Sequence, residues 1–311
     1  MAVDFVFSFQ CPEYFVLQVT INSIIYASEI AVIAVGVSLC YSILRFANFA
    51  HIQLAIVGGY LAYSFATIPG LTLPLPLAVF LAAIATGLIA VLIDIIVFSR
   101  IRHISAEGKM IVSWGVALFI RSMLAAIYGG SAKVFDVPTE VIVWEGGIFT
   151  TLDITVVGAS LLLMVLLHVF LFRTRTGSAL RALASNYELA VTRGIPGDRL
   201  IRLMWFLSGA LAAIGGSLFA MQTRLQPSLD LVILLPVFAA VTIGGMSNVF
   251  GAVIGAIVLS FAQNFLIWID FGSLFFGEPW HIPTQFRDYI AVLALLLVLL
   301  LKSSRAGGEK K

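Results

Sequence analysis

The 311-residue chain predicts an all-α polytopic membrane protein of about eight to nine transmembrane segments. Three observations carry that expectation. The chain is 61% hydrophobic and 11% charged, with mean hydropathy +1.08, whereas a soluble domain carries about a quarter charged residues and under half apolar ones. Its apolar residues gather in runs of bilayer length, and its basic residues gather between those runs in three places. Lipid is therefore the solvent for most of the surface. That excludes a secreted enzyme, a nucleic-acid-binding module and a disordered chain, and a net charge of +2 says nothing about an anionic partner. Cys11 and Cys40 lie too far apart for a metal motif and give no disulfide framework. No Lys or Arg precedes the apolar residues of the N-terminus, so a cleavable signal peptide is not expected.

Apolar runs fall at 17–43, 47–68, 74–98, 110–128, 152–172, 201–222, 231–243, 250–268 and 287–301. Most reach the roughly 17–25 residues that a helix needs to cross, and none alternates over about ten residues as a barrel strand does. Of the 18 basic residues, 13 follow the third run, fill the linker after the fifth, or end the chain. Arg100, Arg102 and Lys109 form the first group; Arg173, Arg175, Arg181, Arg193, Arg199 and Arg202 the second; Lys302, Arg305, Lys310 and Lys311 the third. The positive-inside rule makes all three cytoplasmic, with the N-terminus outside. Asp4, Glu13, Asp136, Glu140, Glu145, Asp153, Asp230, Asp270 and Glu278 then mark the outer side. The chain reads as one domain, 1–311, with a membrane core at 17–302, a cytoplasmic linker at 173–200 and a cytoplasmic tail at 303–311.

Parity tests the span count. Taking 231–268 as one crossing gives eight spans and strands the basic tail outside; splitting it at Gly244, Gly245 and Gly251 gives nine and satisfies every cluster. At about 1.5 Å per residue, 231–243 reaches only about 20 Å, which reads as a half-helix meeting its partner within the membrane. Broken helices at that depth line a cavity or lie buried in protein, so the pattern hints at a transport path.

In the linker, Ser178 is a fair N-cap, and Ala179, Leu180, Leu183, Tyr187, Ala190 and Val191 follow at helical spacing. Gly194 suits a left-handed C-terminal cap before Pro196, and Asp198 suits a cap for the next span. The helix is either a surface connection held at anionic headgroups or a docking helix for a cytoplasmic partner. In the second reading a small face of Ala179, Ala182, Ala184 and Ala190 allows close approach, and Glu188 offers an acid.

The order Glu188, Ala190, Gly194 resembles the coupling loop of ABC importer permeases, with Leu189 where an alanine is usual. The segment Tyr41 to His51, with Asn48, Phe49, Ala50 and His51 in series, resembles that of the branched-chain amino acid ABC transporter permease family of the Liv H type. Leu231 to Gly255 resembles its glycine-rich segment, and Ser178 to Arg199 its coupling region. The likeness runs from about 18 to 302, with Ile52 in place of a glycine and Met246, Ser247 and Asn248 departing from the glycine pattern. The resemblance implies a permease subunit beside a second homologous permease. It also implies two ATP-binding cassette subunits inside and an extracytoplasmic solute-binding protein outside. The chain contains no phosphate loop, so this chain is expected to bind no cofactor; ATP and Mg belong on the partner ATPases. Ser178, Glu188, Ala190 and Gly194 become the expected ATPase-coupling residues.

Candidate path residues each have a plain alternative. Asn48 and His51 either line or gate the path at a helix break or sit in a solvated hairpin. Gly244, Gly245, Ser247 and Asn248 mark the expected break in the path. Gln263 and Asn264 either touch the path or join helices by hydrogen bonds. Gly58, Gly59, Gly209, Gly215 and Gly216 read as close-packing points. Trp268, Trp280 and Tyr289 read as an interfacial aromatic belt. Glu29 and Arg121 are isolated charges at similar expected depth and are expected to pair. Otherwise Arg121 snorkels and Glu29 is protonated, or both meet the charges of a zwitterionic solute. Asp94 pairs locally near Arg100 or snorkels. No metal site and no catalytic set converges.

The leading function is an importer permease for branched-chain or other hydrophobic amino acids, or a related small amide such as urea. A sugar permease of the same superfamily is an alternative. An ion-coupled secondary transporter is a third, but only Glu29 is well placed to carry a coupling ion. The expected partners include membrane lipid and no nucleic acid.

Overall fold

Helix starts are dictated locally along the chain. Pro74 and Pro76 open α3 (Leu75–Ile96), Ser105 accepts from the Gly108 amide at 3.2 Å to open α4 (Ala106–Tyr128), and Asn248 accepts from the Gly251 amide at 3.0 Å to open α10 (Val249–Trp268). The computed structural model describes residues 12–67, 73–269, 283 and 286–308. Its other helices are α1 (Pro12–Leu44), α2 (Ala50–Ala66), α5 (Thr151–Arg173), α6 (Arg175–Ser185), α7 (Tyr187–Thr192), α8 (Gly197–Gln222), α9 (Asp230–Gly244) and α11 (Arg287–Gly308). Seven described helices are long and apolar enough to cross a membrane. The 17-residue α2 and the Tyr289–Leu300 stretch of α11 are shorter apolar helices.

The long helices alternate between two ends of the bundle. At one end, β1 (Val141–Trp144) and β2 (Gly147–Thr150) form an antiparallel hairpin whose turn residues, Glu145 and Gly146, take φ of +48° and +83°. Strands of four residues are too short for an apolar-run reading to register. The Gln18 amide of α1 pairs with both backbone groups of Ile148, at 3.0 and 2.7 Å, and seats the hairpin. Thr150 and Asp153 then form a capping box that launches α5. The other end carries the α5–α8 linker, and we call the two the hairpin end and the linker end.

Burial sorts the spans. Most of α1 and α8 is buried (78% and 72% of their apolar spans), against 22% for α4 and α5. Helices α1, α2, α8, α9 and α10 form the centre, α3 flanks α8 and α2, and α4 and α5 lie outside. Lipid gives no hydrophobic drive between helices, so the centre is held by small-residue contact. A methyl group on Gly216 of α8 would fall on the Ala55 carbonyl of α2, and one on Gly58 of α2 on the Ala213 backbone. Gly209 and Gly215 also sit against neighbouring helices, at Ala90 and Ile33, and Gly59 sits against Leu225 just beyond α8.

The stretch 231–268 makes two helices packed on each other rather than one. Gly244 abuts the Gly251 carbonyl, Gly255 abuts the Ala240 carbonyl, and Gly245 turns the chain at φ +92°. With the 3-10 turn Pro227–Leu229 ahead of it, α9 belongs to an 18-residue apolar span, longer than the 13-residue half-helix expected. The Tyr289 side chain is exposed near the start of α11; those of Trp268 and Trp280 lie outside the described residues, as does the end of the basic tail, Lys310 and Lys311.

Overpacking a tight contact costs about 1–3 kcal/mol, more where backbone is the obstacle. Gly216→Val and Gly244→Val are each expected to lower the thermal unfolding midpoint of the purified protein by several degrees. Gly115→Ala, which meets nothing within 4 Å, should not lower it. Equal midpoints for all three would contradict backbone contact as the organising force.

Candidate functional site

Two regions could act on a solute or a partner. The first is the linker end. Thr174, not Ser178, caps α6, accepting from the Gly177 amide at 3.0 Å. Ser178 lies inside the first turn, exposed, and accepts from Arg181. Asn186 closes α6 and accepts from the Leu189 amide at 3.0 Å to open α7, so the single expected helix is two. Gly194 takes φ +84°, as a left-handed cap requires, and nothing lies within 4 Å of where a methyl would sit. The small face is turned inward: Ala190 is buried, and Ala179 and Ala182 pack on the core. What α7 presents outward is Tyr187, Glu188, Leu189 and Val191.

Two tethers tie this end to the bundle. Arg45 ends α1 in the left-handed region (φ +58°), unusual for a side-chain-bearing residue, and its guanidinium donates to the Ala184 carbonyl of α6 at 2.5 Å. Arg102 bridges buried Asp94 of α3, at 3.3 Å, to Asp198 in the first turn of α8. Asp94 thus pairs locally, with Arg102, while Pro196 holds the α8 cap position expected of Asp198. Ser247 and Asn248, at the α9–α10 turn, share a cavity of about 240 Å³ with Arg181 and Ala184 of α6. Gly244 and Gly245 serve the packing and turning of this hairpin.

Asn48 and His51 lie at the α1–α2 break and are fully buried, not solvated. The His51 Nδ1 is 2.9 Å from the Ser208 hydroxyl of α8, which donates to the Gly36 carbonyl of α1 at 3.2 Å. The imidazole fills the space beside Gly36, so in this structure it packs three central helices together.

The second region is a polar cavity of about 480 Å³ at the hairpin end. Asn22 and Glu29 enter it from one face of α1, Asp153 from the start of α5, Gln222 from the end of α8, Asn264 from α10 and Arg287 from the start of α11. The Gln222 amide donates to Asp153 at 2.6 Å, and Asp153 also caps α5, so this carboxylate is satisfied. Glu29 is buried, and its Oε1 has no hydrogen-bond partner among the described residues. Arg287 lays its guanidinium 3.8 Å over the Tyr26 ring, with Nε unbonded. Gln263 holds α11 in place by donating to the Arg287 carbonyl at 2.9 Å; Asn264 donates to Ser260 at 2.9 Å and faces the cavity.

The expected Glu29–Arg121 pair does not form. Arg121 lies 3.9 Å from Asp230 at the start of α9, because α4 packs outside, against α2 and the turn before α9, away from the Glu29 face of α1. Sequence reading also passed over Asn22, Asp153, Gln222 and Arg287. Signals existed: Asn22, Tyr26 and Glu29 share helical spacing, and Arg287 begins an apolar run as an isolated cation. No group of three or more His, Cys, Asp or Glu among the described residues could hold a metal.

A family model described as branched-chain amino acid transport system / permease component matches residues 19–306. The probable branched-chain amino acid transport permease protein LivH of Methanocaldococcus jannaschii is 28% identical over 291 residues, covering 89% of each chain. The high-affinity branched-chain amino acid transport system permease protein BraD of Pseudomonas aeruginosa is 27% identical over 305 residues, 94% of this chain and 95% of its own. The galactofuranose transporter permease protein YtfT of Escherichia coli is 24% identical over 297 residues, 90% of this chain and 78% of its own.

Removing one partner of a buried ion pair costs about 3–5 kcal/mol, because the other charge is left unpaired. Because Arg102 is itself 31% exposed, Arg102→Ala should destabilise the protein by less than that full cost, about 1–3 kcal/mol, in chemical unfolding. Arg102→Ala with Asp94→Asn should recover most of the loss. A double variant as unstable as Arg102→Ala alone would show that Asp94 does not depend on Arg102.

Proposed function

The chain belongs to the family of branched-chain amino acid transport permease components, and on that premise we propose that it forms the path for an aliphatic amino acid in an ATP-driven importer. The match over residues 19–306 carries this reading. The basic linker end faces the cytoplasm and the hairpin end faces outward, following the positive-inside rule. Outside, a solute-binding protein delivers to the polar cavity, and Val141, Val143 and Trp144 of the exposed hairpin offer it an apolar contact. Inside, α7 inserts into a groove on one of two ATP-hydrolysing subunits, with Leu189 as its apolar contact and Glu188 as its charge. ATP and Mg are handled there, and this chain contributes no catalytic residue. A second homologous permease packs against the exposed outer helices. The likeness to a galactofuranose permease supports a sugar as the second reading, but the charged lining of the cavity suits a charged solute better.

Purification with native partners and uptake into proteoliposomes test the reading. ATP-dependent uptake of leucine, isoleucine or valine is expected; uptake of a sugar alone, or uptake without ATP, would contradict it. Glu188→Lys and Gly194→Val should insert normally yet lose most solute-stimulated ATP hydrolysis, while Gly194→Asn, which tolerates the left-handed region, should keep it. Unchanged coupling in both disruptive variants would remove α7 from the ATPase contact. Single cysteines at Thr139 and Arg199 test orientation: an impermeant thiol reagent should label only the first in intact cells. The reverse pattern would invert the topology.

A further inference from the structure

We infer that the cavity at the hairpin end recognises its solute as a zwitterion, with Glu29 receiving the ammonium and Arg287 the carboxylate. The inference rests on the amino-acid reading above and adds to it the residues that discriminate.

Both groups are left incomplete among the described residues. Glu29 is 4% exposed, and its Oε1 finds no donor, although Asn22 and Asn264 line the same space. Arg287 rests on Tyr26 instead of swinging to Glu29, and no ion pair joins the two among the described residues. A carboxyl group left unpaired deep in a membrane bundle is expensive and persists where a function uses it. Asp153 does not compete for the role, because Gln222 and the α5 cap already occupy it.

The remaining lining fits the rest of such a solute. Ile25, Phe219 and Val232 give the cavity an apolar wall, and a volume near 480 Å³ falls in the range of small-molecule sites. An aliphatic α-amino acid bridges Glu29 and Arg287 with its two charges and lays its side chain on that wall. A neutral sugar leaves both charges unmet, and buried polar groups left unpaired are what make such sites selective.

Analogues lacking one charge separate the two roles. Binding of radiolabelled leucine, with leucinamide (no carboxylate) and 4-methylpentanoate (no ammonium) as competitors, is measured on the purified permease–ATPase complex without the solute-binding protein. The wild type should bind leucine at least about tenfold more tightly than either analogue, the size expected for one charge-assisted contact. Glu29→Gln should abolish the preference over 4-methylpentanoate while keeping that over leucinamide. Arg287→Gln should do the opposite, and Arg287→Lys should recover part of the loss. Thermal unfolding of each variant reports folding separately, and the analogue ratios are unaffected by a smaller folded fraction. If the wild type transports leucine yet binds it with the same analogue ratios in both variants, the site is wrong and the amino-acid reading stands. If the wild type transports a sugar and no amino acid, that reading fails and takes the site with it.

Discussion

In lipid, helices gain nothing by hiding apolar surface from one another, so this bundle depends on how closely backbones approach. Gly216 on Ala55, Gly58 on Ala213, Gly244 on Gly251 and Gly255 on Ala240 are contacts that no side chain would permit. They join α2 to α8 and α9 to α10, Gly215 seats Ile33 of α1 against α8, and α4 and α5 are left with mostly exposed faces. The same closeness lets buried polar groups act between helices. Ser208 meets His51, and Gln263 meets the backbone of α11.

That centre places different chemistry at its two ends. At the hairpin end the helix termini diverge around a cavity holding two carboxylates and one guanidinium, with one carboxylate already bonded. At the linker end, Arg45 ties the α1–α2 break to α6, and Ser38 donates to Met246 at 3.1 Å beside the α9–α10 turn. Arg45 and Ser38 thus link α6 and the α9–α10 turn to α1, the helix that also carries Glu29 into the cavity.

Much of this was legible in the sequence. Hydropathy gave the helices, the glycines gave the break after α9, and the left-handed position at Gly194 followed from its place before Pro196. Errors came where local pattern competes with neighbours in space. Thr174 displaced Ser178 as a cap because its hydroxyl reaches the Gly177 amide, and Gly177 itself is pressed against the Phe170 carbonyl. Asn186 split one amphipathic pattern into two helices by capping the second. The Glu29–Arg121 pairing failed because similar depth along two helices says nothing about which faces meet. Arg121 found Asp230, and Glu29 turned towards a cation that opens the last described helix.

Occupation of the polar cavity by a solute is tested most directly by protection of a cysteine at Thr223, which lines it. In a transport-competent complex, the rate of labelling by an impermeant thiol reagent is measured with and without leucine. A cysteine at Thr139, exposed outside the cavity, serves as reference. Slower labelling at Thr223 with saturating leucine, and an unchanged rate at Thr139, is the expected result. Equal rates at Thr223 with and without leucine, in a complex that still takes leucine up, would contradict a path through this cavity.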